Sequence, residues 1–209
     1  MNHSQPLQPP RPLTPPLEPE LADALTAFWE DIFETPFGHF GEVLRGSELG
    51  INNHHLYLVR EHAELIATTL LTISGSNPRL AGLGEVATAS SHRGRGLAAM
   101  LTQQARDTFL DQGGAALFLG TVNPAAARIY HKLGWRKLAA ANVMCLVGDG
   151  GSPEEFLVDT FRAAGEVRVA AGTAACRVDM IPLILCPHDD RILDINVGLF
   201  STGYSVQNS

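Results

Sequence analysis

The sequence predicts a mixed α/β domain in which a central mixed sheet is flanked by helices. Runs rich in β-branched and aromatic residues alternate with runs whose apolar residues recur at helical spacing. One short apolar run, "AALFLGTV", lies between two helical segments, as expected of a strand covered on both faces. The predicted order is helix, strands, helix, strand, helix and strands, and this domain covers residues 18–147.

The chain before this domain is rich in proline. Seven of the 13 prolines fall within the first nineteen residues, a composition that favours extended conformations and cannot form a core. Residues 1–17 are therefore predicted to be a disordered tail. A plain linker is the favoured interpretation, and a ligand for an SH3-like groove is the alternative.

The first helix is predicted from Pro19 to Glu34, because proline suits the first turn and apolar residues follow on one side. The segment "TPFGHF" ends it, and a short second helix is expected there. Two antiparallel strands follow, "HLYLVR" and "AELIATTLLTIS", with "EHAE" as their turn. After the loop "SGSNPR", the segment "LAGLGEVATA" predicts a third strand.

A glycine turn, "RGRG", connects this strand to a helix that begins at Leu97 and ends near Leu110 at "DQGG". The apolar strand then leads to a helix, "PAAARIYHKL", which ends at Gly134. The segments "WRKLA" and "NVMCLV" predict two closing strands.

Residues 148–209 predict a small α+β extension. The linker "GDGGSP" precedes a helix, "PEEFLVDTFRAAG", and three strand-like segments follow: "EVRVAAG", "CRVDMIPLILC" and "RILDINVGLF". No chemical motif falls in this extension. It could cover a cleft, pair with a second subunit in a homodimer, or add to the fold.

Composition excludes several classes of protein. A net charge of -7 argues against a general nucleic-acid binder and tolerates a cationic partner. No apolar run is long enough for a membrane helix, so no membrane partner is expected. Three cysteines without CxxC spacing indicate neither a disulfide framework nor a zinc site. With no signal-peptide pattern at the start, a cytoplasmic location is expected.

The glycine turn is the first candidate for chemistry. It places small residues at a helix N-terminus, where backbone can approach a ligand closely and free N–H groups favour an anion. A glycine turn without a ligand is the alternative at this stage. The spacing does not fit a dinucleotide-binding GxGxxG, and no GKS or GKT supports a nucleotide-triphosphate loop.

Two motifs together resemble the GNAT acetyltransferase superfamily. The first is R-x-x-G-x-A at Arg93 to Ala98. The second is "LGTVNPAAARIYHKLGWRK", which is similar to N-x-x-A-x-x-x-Y-x-x-x-G-F, with Asn123, Ala126, Tyr130, Gly134 and Trp135 in its places. Trp135 stands where phenylalanine is commoner and keeps an aromatic residue there. The resemblance implies a GNAT-like acyl-CoA N-acyltransferase fold with acetyl-CoA as co-substrate.

The resemblance also implies residue roles. Backbone N–H groups of the glycine turn would hold the pyrophosphate of acetyl-CoA, and the strand before the turn would hydrogen-bond the pantetheine arm, together with Asn123. Tyr130 would give the leaving thiolate a proton or a hydrogen bond. The residues implied in donor binding are Val86, Ala87, Thr88, Arg93, Gly94, Arg95, Gly96, Leu97, Ala98, Asn123, Ala126 and Tyr130.

An amine acceptor must lose a proton before it attacks the thioester. Glu85 is the nearest carboxylate by sequence and is the candidate base, although a solvated strand residue is the favoured alternative. Glu34, at the end of the first helix, is a candidate for the acceptor pocket.

Several of these residues also have interpretations without a role in catalysis. Tyr130 taken alone would be a core aromatic. The pair His54 and His55 does not suit a metal, since neighbouring residues in a strand face opposite ways. His92 and His131 are expected at the surface.

The predicted function is a cytoplasmic N-acetyltransferase that moves acetyl from acetyl-CoA to a primary amine by direct attack in a ternary complex, without a metal. The acceptor is a small molecule or a protein amine. A non-catalytic CoA-binding or regulatory module is the alternative. A longer acyl donor also stays open.

Overall fold

A six-stranded mixed sheet lies at the centre of the part of the chain that the structure describes. The structure is a computed structural model and describes residues 10–138, 143–162 and 171–185. The strands are β1 (Asn52–Glu61), β2 (Glu64–Ser74), β3 (Leu80–Thr88), β4 (Ala116–Gly120), β5 (Arg136–Lys137) and β6 (Val143–Val147). The helices are α1 (Pro19–Phe33), α2 (Gly38–Leu44), α3 (Leu97–Asp111), α4 (Pro124–Lys132), α5 (Pro153–Arg162) and α6 (Arg177–Leu185).

The order of strands in the sheet is β1-β2-β3-β4-β6-β5, and the β3–β4 pair is parallel whereas all the other pairs are antiparallel. The predicted mixed sheet flanked by helices is therefore confirmed. The predicted helices at Pro19 and Leu97 begin at those residues, and the short second helix is present as α2.

The helices cover both faces of the sheet. Because side chains alternate along a strand, Leu71 and Leu117 pack with α3 and α4, whereas Leu70 and Phe118 point to the opposite face. On that opposite face, α1 and α2 cover one part of the sheet, and α5 and α6 cover the part around Phe118. The site described below lies where the sheet opens between its two parallel strands.

This opening follows from the short pairing of β3 with β4. Only Leu80–Gly82 pairs with Ala116–Phe118, although β3 continues to Thr88. Within the described residues, the β4-facing edge of β3 has no strand partner after Gly82. Since parallel strands end at the same edge of a sheet, the segments that follow β3 and β4 lie at one end of this opening.

The prediction of a disordered tail is wrong for residues 10–17. Leu13 exchanges two backbone hydrogen bonds of 2.8 Å with Leu56 of β1, and the N–H of Leu17 donates to Leu44. β1 is an edge strand, so its free backbone groups accept another extended segment. Leu13 can donate this hydrogen bond because, unlike the prolines near it, it has a backbone N–H. Residues 1–9 lie outside the described part of the chain.

The predicted strand "CRVDMIPLILC" is also wrong, because Arg177–Leu185 forms α6 after a short 3-10 turn. Val178 and Ile181, one helical turn apart, are buried beneath the sheet. A short apolar run does not distinguish a strand from a buried helix by its pattern alone. The predicted strand "EVRVAAG" lies mostly, and "RILDINVGLF" entirely, outside the described residues.

A buried polar cluster holds α6 to the domain. Arg177 forms an ion pair with Glu48, whose other oxygen lies 2.9 Å from both His54 Nε2 and Asn52 Nδ2. Burial alone raises the pKa of Glu48, but these hydrogen bonds and the charge of Arg177 outweigh it and lower the pKa from 4.5 to about 2. Ionised Glu48 therefore stabilises the folded state above pH 4.5, and this contribution is lost as the pH falls towards 2.

We expect Glu48→Gln to lower the free energy of unfolding at pH 7 by about 3 kcal/mol, because it leaves Arg177 buried without its carboxylate. The loss should shrink near pH 3, because at this pH the carboxyl of Glu48, with its ordinary pKa of 4.5, is largely protonated in the unfolded chain, whereas the folded protein with a pKa of about 2 still keeps it ionised. Urea unfolding at both values of pH measures this. The control is Glu42→Gln, which breaks an exposed pair with Arg45 and should change stability little. Equal losses in the two variants would contradict the prediction.

Candidate active site

The glycine turn has the geometry of an open cradle at a helix N-terminus. Gly94 and Gly96 adopt φ of 79° and 77°, in the left-handed region that favours glycine. A Cβ built at either position meets no atom within 4 Å, so space lies open above both. Gly96 is the N-cap residue of α3 and no side chain caps the helix, so the N–H groups of its first turn have no acceptor within the helix. Leu97 is buried and Ala98 half-buried in this turn.

Two arginines and a histidine surround this cradle. Arg93 donates from Nε to the carbonyl of Thr88 at 3.3 Å. Arg95 and His92 both contact Glu61, at 3.2 Å and 2.9 Å, and these contacts lower the pKa of the Glu61 carboxyl. Sequence reasoning missed Glu61, because it lies at the end of β1 and approaches the turn only through the β1–β2 hairpin. His92 is held by Glu61 at the rim of the cradle.

The strand before the turn presents one bonded edge and one open edge. Ala87 and Thr88 pair with Thr68 and Ala67 of β2. The opposite edge faces the opening towards β4, where the resemblance placed the pantetheine arm. Val86, Ala87 and Thr88 therefore lie beside the opening, with backbone groups on the side that lacks a described strand.

Glu85 occupies a bulge in this strand. The register between β2 and β3 shifts between Thr68 and Leu70, and Glu85 has a φ of 47°. Such a conformation is strained for a residue with a Cβ. The side chain is buried, with an exposed fraction of 1%, so the interpretation of Glu85 as a solvated strand residue is wrong.

The second motif forms the start of α4. Asn123 caps this helix: its Oδ1 accepts from the N–H groups of Ala125 at 2.9 Å and Ala126 at 3.4 Å. The structure thus gives the Asn123 oxygen a capping contact that the sequence reasoning did not anticipate. Ala126 packs against the core, and Tyr130 is buried with its ring centroid 6.3 Å from that of Trp135.

The remaining candidates lie away from this opening or at the surface. Glu34 is exposed at the C-terminal end of α1, in a left-handed conformation, and His131 is exposed on α4. His54 belongs to the buried cluster around Glu48, and its neighbour His55 is only half-buried. Within the described ranges, no three His, Cys, Asp or Glu side chains group together as metal ligands would.

The decisive comparison is with a family model described as "Acetyltransferase (GNAT) family", which matches residues 18–135. The chain belongs to the GNAT acetyltransferase family. The resemblance of the two motifs is thereby confirmed, and the match includes the glycine turn, the bulge in β3 and the start of α4. A search of curated proteins found no match.

Solved structures show the same fold at low sequence identity. A GNAT-family acetyltransferase from Staphylococcus aureus Mu50 gives a TM-score of 0.51 at 15% identity, over 63% of this chain and 95% of its own. A spermidine N-acetyltransferase chimera from Vibrio cholerae and hSSAT gives 0.52 at 17%, over 64% and 94%. An aminoglycoside 6'-N-acetyltransferase in complex with coenzyme A gives 0.50 at 14%, over 63% and 92%.

Among the described residues, no helix combines the length and the hydropathy that a membrane span requires.

Proposed function

We propose that the protein is an acetyl-CoA-dependent N-acetyltransferase that moves acetyl to a primary amine by direct attack in a ternary complex. The observation that carries this proposal is the open glycine cradle at the uncapped start of α3, beside the free edge of β3. Acetyl-CoA has an anionic pyrophosphate, which suits the glycine cradle, and an extended pantetheine arm, which suits a free strand edge beside it. Family membership and the relative solved with coenzyme A support the same donor.

On the donor side, the backbone N–H groups from Arg93 to Ala98 bind the pyrophosphate, and the two arginines add positive charge. The open edge of β3 from Val86 to Thr88 binds the pantetheine arm by backbone hydrogen bonds. Asn123 and Ala126 set the start of α4 beside this arm. Acetyl-CoA supplies an activated acetyl group, whose thioester releases a thiolate when an amine attacks.

Tyr130 assists the departure of this thiolate. A free thiol has a pKa of about 8.5, so coenzyme A leaves as an anion that a phenolic O–H stabilises by hydrogen bonding. Its position on α4, in the buried cluster that also includes the strands on either side of the opening, supports this role.

Glu85 is the proposed base that accepts the proton of the attacking ammonium, directly or through water. We expect Glu85→Gln to lower kcat/KM for an amine about tenfold at pH 7, and less at a pH near 10, where the amine loses its proton unaided. Rates measured from pH 6 to 10 test this. Glu64→Gln, which changes an exposed carboxylate at the start of β2, is the control. A reduction that is the same at every pH would contradict the assignment.

The acceptor is an amine on a small molecule or a protein. The relatives named for spermidine and for aminoglycosides both act on polycationic amines, and the net charge of -7 favours a cation here too.

A cytoplasmic location belongs to the same proposal, since the cysteines lack disulfide spacing. We also propose that the acetyltransferase domain spans residues 18–147, with residues 148–209 as an extension. The packing of α5 and α6 against the sheet supports a structural role for this extension.

Isothermal titration with acetyl-CoA, and separately with CoA, tests the donor without a choice of acceptor. Micromolar binding of both is expected, followed by acetyl transfer to at least one member of a panel of primary amines. Absence of binding by both ligands would refute the proposal. Binding without transfer to any amine would favour the non-catalytic CoA-binding module.

A further inference from the structure

A buried chain of hydrogen bonds connects α1 to the bulge in β3. Trp29 donates from Nε1 to Thr68 Oγ1 at 2.9 Å, and Thr68 Oγ1 donates to the carbonyl oxygen of Glu85 at 2.7 Å. Trp29 and Thr68 are fully buried, and Glu85 is nearly so. Because a buried donor without an acceptor is unfavourable, this chain fixes the hydroxyl of Thr68 in one orientation.

The second of these bonds determines how one peptide group of β3 is turned. The carbonyl of Glu85 and the N–H of Val86 belong to one planar trans peptide and point in opposite directions. The carbonyl points to Thr68 on β2. The N–H of Val86 therefore points away from the Thr68 hydroxyl, and the β4-facing edge of β3 has no described strand partner at this position.

The bulge needs such a support. The positive φ of Glu85 is unfavourable for a residue with a Cβ, so it persists only where surrounding contacts enforce it. The hydrogen bond from Thr68 is a contact of this kind, because it binds the carbonyl that the bulge turns out of the regular ladder. Trp29 in turn prevents the hydroxyl from rotating towards another acceptor.

We propose that Thr68, held by Trp29, is a positioning residue for acetyl transfer. It fixes the Glu85–Val86 peptide, and thereby aims the N–H of Val86 at the donor and holds the backbone from which the Glu85 carboxyl extends. Thr68 itself acts only through this peptide. The inference rests on the proposed function, since it assigns the donor to the open edge of β3.

The neighbouring residue provides a matched control. Thr69 is also fully buried on β2, but its hydroxyl has no hydrogen-bond partner among the described residues. Thr69→Val and Thr68→Val therefore remove the same atom type from adjacent buried positions. Only the change at Thr68 breaks a bond to the bulge.

The experiment measures acetyl-CoA affinity by titration and transfer to spermidine, or to the best amine of the panel, for wild type and four variants. Circular dichroism first confirms a temperature at which each variant is folded. Thr68→Val is expected to weaken acetyl-CoA binding about tenfold and to lower kcat as well. Thr68→Ser retains the hydroxyl and should restore both quantities. Trp29→Phe should reduce both by less, and it provides the test if Thr68→Val does not fold.

The support that Thr68 gives to the bulge has its own readout in amide hydrogen exchange of residues 84–88, which should accelerate in Thr68→Val and stay unchanged in Thr69→Val. The proposal is overturned if Thr68→Val, or Trp29→Phe in its place, binds and transfers as well as Thr69→Val while the wild type is active. If the wild type itself binds no acetyl-CoA, the proposed function fails, and the positioning role fails with it.

Discussion

Gly96→Glu is expected to abolish CoA binding, with a loss of affinity of at least about a hundredfold. Gly96 has a φ of 77°, is the N-cap residue of α3 and has open space where a side chain would project. A glutamate there would fill the cradle and place a negative charge where the pyrophosphate is proposed to bind. Titration with CoA measures the effect, because this ligand needs no acceptor and no turnover.

A second glycine separates this effect from backbone strain. Gly150 has the same φ of 77°, and a Cβ there also meets no atom within 4 Å. It follows β6, whose end pairs with the start of β4, at the end of the sheet away from the cradle. Gly150→Glu thus introduces the same residue with the same strain and charge. Equal losses of CoA affinity in the two variants, or none in Gly96→Glu, would remove the phosphate cradle from the mechanism.

The glycine cradle was predictable from the sequence because all its determinants are local. The two glycines follow a strand closely in the sequence and precede apolar residues at helical spacing. This local pattern is sufficient to predict a turn at a helix N-terminus. The two motifs, at the start of α3 and along α4, then indicated the family, and the fold of that family predicts the mixed sheet. The helix boundaries at Pro19 and Leu97 were predictable for the same local reason.

The bulge at Glu85 could not be predicted in this way. Its register shift is relative to β2, and its carbonyl is bound by a threonine seventeen positions earlier. Alternation along an isolated strand leaves the orientation of the Glu85 side chain open, whereas in the folded structure this side chain is buried. Glu61 was missed for a similar reason: the hairpin brings it to His92 across 31 positions.

Contacts distant in sequence also explain the two errors in the fold. Residues 10–17 look like a tail because proline disfavours a core, but Leu13 finds the free edge of β1. Arg177–Leu185 looks like a strand because most of its residues are apolar, yet it forms a helix that packs against the sheet and pairs its arginine with Glu48. In both segments, the conformation depends on a contact with a residue that is distant in the sequence, Leu56 for Leu13 and Glu48 for Arg177.

Tyr130→Phe is expected to lower kcat about a hundredfold while the affinity for acetyl-CoA changes little. The phenylalanine ring keeps the packing of Tyr130 against Trp135, because the two differ only by the hydroxyl. An ordinary phenol has a pKa of about 10 and a thiol one of about 8.5, so in the proposed mechanism Tyr130 would stabilise the departing thiolate by a hydrogen bond more readily than by full proton transfer. That bond strengthens as charge develops on sulfur, which is why its loss affects turnover more than binding.

The chain offers a matched control for this substitution in Tyr57, a fully buried tyrosine of β1 that belongs to the same core cluster as Tyr130. Tyr57→Phe removes a buried hydroxyl from that cluster without touching α4. Steady-state rates with the best amine, together with titration of acetyl-CoA, should therefore separate the two variants: Tyr130→Phe loses turnover, and Tyr57→Phe retains it. If Tyr130→Phe turns over as fast as Tyr57→Phe, the hydroxyl of Tyr130 has no part in the release of the thiolate, and Tyr130 is a core aromatic residue.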